Sequence, residues 1–137
     1  MALNPDRKMR STTILRRLFC RLKISLEWTA FPPNCFYLTA YLCKVKVGHA
    51  TGDFVAGGVF RIVTIDIYQG YRCHGYGSKI IDQLIHEAIQ KNCSQLVFVG
   101  VSTSNTKAAK LYSTRYGATL KHIPNCPNKN DYVRVLP

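Results

Sequence analysis

With 137 residues, 47% of them hydrophobic, the chain is long enough to bury one core and too apolar to be a disordered tail, and no apolar run approaches the ~18 residues of a membrane span. Its 19 Lys and Arg against 7 Asp and Glu give a net charge of +12, and half of that excess lies in the first 23 residues, where Arg7, Lys8, Arg10, Arg16, Arg17, Arg21 and Lys23 face Asp6 alone. Such a block either attracts nucleic acid, anionic lipid or an import receptor or is a solvated helix face. The helix-turn-helix, zinc-finger and RNP-type signatures of a nucleic-acid-binding module are missing, so nucleic acid is not the expected partner.

In chain order, 1–10 is expected to be a basic tail of a single domain spanning 1–137. Residues 12–26 then predict an amphipathic helix, with Ile14, Leu15, Leu18, Phe19, Leu22 and Leu26 on one side. A mitochondrial transit peptide has the same character, but Asp6 and Glu27 intrude and no cleavage signal is evident. Ala30-Phe31-Pro32-Pro33-Asn34 is a break, after which Cys35–Leu42 reads as a strand or a short helix. Gly57-Gly58 marks a hairpin, and a strand from Val59 runs to Tyr68. Arg72-Cys73-His74-Gly75-Tyr76-Gly77-Ser78 then leads into a helix whose apolar stripe is Ile80, Ile81, Leu84, Ile85, Ala88 and Ile89, with a stop near Lys91-Asn92. Gln95–Val101 predicts a buried strand. A second helix starts at Ser104 or Asn105, either able to cap it, and stops at Gly117. Thr119–Ile123 and Asp131–Leu136 predict two closing strands.

Between Val59 and Ser78 a strand passes through two glycines into a helix. That layout is either plain turn chemistry or an anion seat, in which glycines let backbone approach a phosphate and unpaired helix-start N–H groups point at it. Tyr71-Arg72-x-x-Gly75-x-Gly77-Ser78, the helix and buried strand after it, and Val101-x-x-x-Asn105-x-x-Ala108-x-x-Leu111-Tyr112 together resemble the acetyl-CoA-binding half of the GNAT superfamily of N-acyltransferases, over about 50 residues in order. The resemblance implies an α/β fold, a mixed central sheet flanked by helices, and transfer of acetyl from acetyl-CoA to the primary amine of a peptide or small molecule. It also implies that Arg72, Cys73, His74, Gly75, Tyr76, Gly77 and Ser78 hold the CoA pyrophosphate, that Ile67, Tyr68 and Asn105 line the pantetheine arm, and that Tyr112 is the acid that protonates the departing thiolate. Read from its own setting, Tyr112 is equally a core aromatic and His74 an exposed turn residue.

The chain departs from the family pattern in four places. Cys73 replaces a common glycine, Gln69 a frequent proline and Ala118 a usual aromatic, and Tyr112 to Gly117 is one residue longer than the commonest spacing, as in some protein N-terminal acetyltransferase subunits. The 58 residues before Val59 are also few for an opening strand, two helices and two more strands, so the substrate-side helices are short or the N-terminal part diverges.

Acetyl transfer needs a proton acceptor, an oxyanion donor and an acid. Asp66, beside the reaction centre, is the candidate acceptor, against water-mediated deprotonation or a residue of the N-terminal half, and a backbone N–H at Ile67 or Tyr68 is the candidate oxyanion donor. A catalytically silent acyl-CoA-binding domain is the alternative to an enzyme. Cys20, Cys35, Cys43, Cys73, Cys93 and Cys126 form no C-x-x-C pair and no His/Cys grouping has zinc spacing, so the expectation is reduced thiols, no metal, and a cytoplasmic or nuclear location with mitochondrial import as the other option. Oligomeric state is not legible.

Overall fold

The computed structural model describes residues 20–137. The predicted tail at 1–10 and the 12–19 part of the predicted first helix lie outside the described residues. Seven strands, β1 (Leu22–Thr29), β2 (Cys35–Leu42), β3 (Val45–Phe54), β4 (Val59–Ile67), β5 (Gln95–Ser102), β6 (Thr119–His122) and β7 (Lys129–Val135), form one sheet in the order β1-β2-β3-β4-β5-β7-β6. Only β4 and β5 pair in parallel. Between them runs α1 (Tyr76–Gln90), since a parallel pair needs a crossover. α2 (Thr106–Lys110) continues into a π-helical turn, Leu111–Arg115, before β6.

Residues 22–26, predicted as helix, are strand. Leu22, Ile24 and Leu26 are half-buried against the core while Lys23, Ser25 and Glu27 are exposed, an alternation of period two that antiparallel pairing with β2 rewards along all eight residues. Leu22 and Leu26 fit helical spacing equally well, and the alternation between them is what decides. Only residues 30–34 join β1 to β2, so no substrate-side helix pair stands between them: the N-terminal part diverges.

The core lies on one face of the sheet. Leu38 pairs with Ala50 and Ala50 with Ile65, Phe54 with Phe60, and Ile62 with Phe98, and registered partners share a face. Phe36, Leu38, Phe60 and Phe98 are buried there beneath Ile80, Ile81, Leu84 and Ala88 of α1. Trp28 meets Phe36 and Phe54 edge-on at 5.7 and 5.2 Å, and Lys91 at the end of α1 sits 4.8 Å above the Trp28 ring. Of the helix stripe read from sequence, Ile80, Ile81, Leu84 and Ala88 are buried, Ile85 is half-buried and Ile89 is exposed, and Asn92 at φ 58 closes the helix in the left-handed region. Among the described residues no helix is long and apolar enough to cross a membrane.

The thiols carry a second correction. Cys20 and Cys43 form a disulfide that ties the entry of β1 to the β2–β3 turn, while Cys35, Cys73, Cys93 and Cys126 are free. Residues 23 apart in sequence meet because antiparallel pairing sets the entry of β1 beside the end of β2, Leu22 opposite Leu42, a proximity that cysteine spacing does not reveal.

Candidate active site

The site begins where β4 and β5 part. Their parallel pairing runs from Val59 and Gln95 only to Ile62 and Phe98. Just past it both strands are irregular: Gly52 pairs with Ile62 but Thr51 with Thr64, leaving Val63 as an extra residue in β4, and β5 shifts register against β7 between Phe98 and Val101. Gly100 there has φ 64 and donates its N–H to Asp131 Oδ1 at 2.8 Å. Bulges bend strands, and two back to back open a wedge whose edges carry backbone groups with no strand opposite.

At the mouth of the wedge lies the turn. Gly70, Cys73 and Gly75 have φ of 92, 65 and 80, so the conformation is one for which glycine is the usual choice, and Cys73 adopts it at a steric cost of about 1–2 kcal/mol. Gly75 is the N-cap of α1 and supplies no side chain to it, and the first turn contains no acidic residue. The N–H groups of Tyr76, Gly77 and Ser78 have no acceptor within the helix. A Cβ on Gly77 would meet only Ile67 Cγ1 at 3.9 Å, so the protein itself leaves room there. A helix start without a cap, backed by its dipole and reached past a glycine, is a seat for an anion such as a pyrophosphate.

Arg72 spans this turn from behind. Its Nε donates to the Ile67 carbonyl at 2.6 Å and its Nη2 lies 3.4 Å from Asp66 Oδ1. The candidate acceptor Asp66 is therefore an ion-paired carboxylate, and Arg72 braces the end of β4. The candidate oxyanion donors also separate. The Tyr68 N–H is taken by the Val47 carbonyl at 2.8 Å, which corrects the expectation for Tyr68. Neighbouring N–H groups on a strand point to opposite edges, so that of Ile67 faces the wedge. His74 is exposed and its ring is 6.2 Å from that of Tyr76, which is buried.

On the far side, Asn105 caps α2, its Oδ1 accepting from the Ala108 N–H at 3.2 Å. Asn105, expected along the pantetheine arm and as a candidate cap, commits its side-chain oxygen to that bond. Tyr112 lies in the π-helical turn, stacked on Phe98 at 3.9 Å and edge-on to Tyr132 at 6.0 Å. Burial, helped by neighbouring Tyr116, raises its hydroxyl above the ordinary phenol range. The π turn explains the spacing anomaly: a wider turn absorbs one residue, so Gly117 still ends the segment at φ 61. Tyr116, which the sequence did not single out, is buried, and its one hydroxyl proton is shared between the Ser78 carbonyl at 3.1 Å and Asp82 Oδ1 at 3.0 Å, while Arg115 reaches Asp82 Oδ2 at 3.7 Å. Its ring lies 6.2 Å from that of Phe98, so the segment bearing Tyr112 is fastened to the first turns of α1.

The second unforeseen group lies on the sheet face opposite the core. Thr39, His49 and Asp66 stand in one registered row across β2, β3 and β4. The His49 ring lies parallel to Tyr37 at 5.9 Å and tilted to Tyr68 at 6.0 Å, and Lys46 Nζ bonds the Tyr37 hydroxyl at 2.8 Å. Tyr37 of β2, Lys46 and His49 of β3 and Tyr68 just past β4 meet here, which no linear motif could signal. Among the described residues no cluster of three or more His, Cys, Asp or Glu could hold a metal ion.

Known proteins share this fold. A GNAT-family acetyltransferase from Elizabethkingia anophelis with acetyl-CoA bound superposes with a TM-score of 0.70 at 17% identity, covering 84% of this chain and 98% of that one. A Bacillus subtilis acetyltransferase in complex with CoA gives 0.68 at 15% identity, covering 85% and 100%. Ard1 from Thermoplasma volcanium gives 0.66 at 19%, covering 78% and 73%. No curated protein matches the chain in sequence. The described residues form a mixed seven-stranded sheet with two flanking helices, residues 8–118 match the profile of the acetyltransferase (GNAT) family, and the chain belongs to that family.

Proposed function

We propose that this protein transfers an acetyl group from acetyl-CoA to a primary amine, on a peptide or a small molecule, by direct attack in a ternary complex. The observation that carries the reading is the meeting of two features: the helix start at Gly75–Ser78, with no side-chain cap and no acidic residue in its first turn, opens onto the wedge between β4 and β5. Acetyl-CoA needs both, an anion seat for its pyrophosphate and free strand edges for the amides of its pantetheine arm. In this reading Tyr76, Gly77 and Ser78 receive the pyrophosphate, aided by Arg72, Cys73, His74 and Gly75 of the turn. The Ile67 N–H stands toward the thioester, and Tyr112 returns a proton to the thiolate. Its hydroxyl, kept protonated by burial, suits an acid.

A silent acyl-CoA-binding domain is the second reading. It is favoured by the direct β1–β2 connection, which omits the substrate-side helices, and by the ion pairing of Asp66. The test is thiol release from acetyl-CoA with pooled amines and peptides, the acetylated products read by mass spectrometry. Turnover with any amine excludes the silent domain; a rise in melting temperature with acetyl-CoA but no turnover establishes it.

A further inference from the structure

We propose that His49 receives the acceptor amine, in a seat on the sheet face opposite α1 walled by Tyr37 and Tyr68. This rests on the acetyl-transfer reading above. His49 stands directly across from Asp66, one residue before Ile67, whose N–H faces the wedge. Its Nδ1 is buried without a hydrogen-bond partner, the one such side-chain atom among the described residues. A buried polar atom left unmet costs about 1–3 kcal/mol, and an apolar residue stacked between the same two tyrosines would avoid that cost. The fold thus keeps an unmatched imidazole beside the point of acetyl transfer, where an amine is the missing partner.

The groups around His49 narrow the acceptor. Tyr37 and Thr39 face it from β2, Lys46 from β3, Asp66 from β4 and Tyr68 from just beyond it, with Arg72 behind Asp66. Lys46 Nζ donates to the Tyr37 hydroxyl at 2.8 Å and lies 6.0 Å from the Tyr68 ring centre, so the rim of the seat already carries a cation. Asp66 is likewise paired. The seat therefore selects an amine that arrives uncharged and disfavours a polycation. In the reaction the amine lone pair forms the N–C bond to the thioester carbonyl, and the amine proton passes to the His49 imidazole. The C–S bond then breaks, and the thiolate takes a proton from Tyr112. Return of the His49 proton through solvent to Tyr112 closes the cycle with amide and CoA thiol as products.

The test uses CoA whose sulfur carries a CH2–CO–NH–butyl arm, an amine and cofactor joined in one probe, titrated beside CoA into wild type, His49→Gln and His49→Ala. CoA should bind all three alike, and the arm should add at least about tenfold in affinity to the wild type alone. Turnover with pooled amines should fall about a hundredfold or more in His49→Ala and recover in part with added imidazole, which a structural role would not permit. His49→Gln keeps the comparison open should the alanine variant not fold. A wild type that binds CoA but gains nothing from the arm, or a glutamine variant that keeps the gain, overturns the seat and leaves the cofactor reading intact. A wild type that does not bind CoA overturns both.

Discussion

Alanine at Gly77 separates what the fold requires from what a ligand requires. Gly77 is helical, and its new Cβ would touch only Ile67 Cγ1 at 3.9 Å, an ordinary contact. Gly→Ala at a compatible helical position is worth about 0.5–1 kcal/mol, from helix propensity and reduced freedom of the unfolded chain. For a domain of this size that raises the melting temperature of the free protein by about 2–4 °C. The same methyl group occupies the approach to the helix start, and a tenfold loss of acetyl-CoA affinity is expected. At a ligand concentration 100 times the wild-type Kd, the ligand stabilises the wild type by about 2.7 kcal/mol and the variant by about 1.4 kcal/mol, roughly half. Gly75→Ala should behave oppositely in the free protein: nothing lies within 4 Å of its Cβ, but φ 80 imposes about 1–2 kcal/mol of strain. Scanning calorimetry of the three proteins with and without acetyl-CoA measures all of these quantities. A Gly77→Ala protein with the full wild-type acetyl-CoA shift would refute the helix start as the phosphate seat.

Tyr112→Phe should lower kcat about 10- to 1000-fold with acetyl-CoA affinity nearly unchanged, and wild-type kcat when chemistry limits the rate would return Tyr112 to a packing role. Burial raises the hydroxyls of both Tyr112 and Tyr116, with Asp82 adding to the rise at Tyr116. The unfolded chain therefore loses these protons first, and stability should fall as pH rises above about 10; urea titrations at stepped pH should show a shallower fall in the Tyr112→Phe and Tyr116→Phe variants. Reduction of the Cys20–Cys43 bond, which links residues 23 apart, should cost about 3 kcal/mol on the chain-entropy argument, read as a drop in the urea midpoint with dithiothreitol; an unchanged midpoint would mean that the bond constrains little.

The segment from Val59 to Tyr112 was legible because its signals are local. A glycine at φ 80, a stripe from Ile80 to Ile89 and the capping Asn105 each act within a few residues, so the strand, the glycine turn, the helix and the family resemblance could be read in order. What the sequence could not decide depends on partners distant along the chain. Leu22 and Leu26 satisfy helix and strand periods alike until β2 is there to pair with them, and Cys20 meets Cys43 only through the meander. Val45–Phe54, interrupted by Gly48, His49, Gly52 and Asp53, drew no assignment from sequence and is a strand because its neighbours on both sides supply its hydrogen bonds. The roles of single residues were settled in the same way. Arg72 turned Asp66 into an ion pair, Val47 took the Tyr68 N–H, and two neighbouring strands gathered Tyr37, Lys46 and His49. A residue type fixes which interactions a side chain can make, while the packed chain fixes which of them remain free for a substrate.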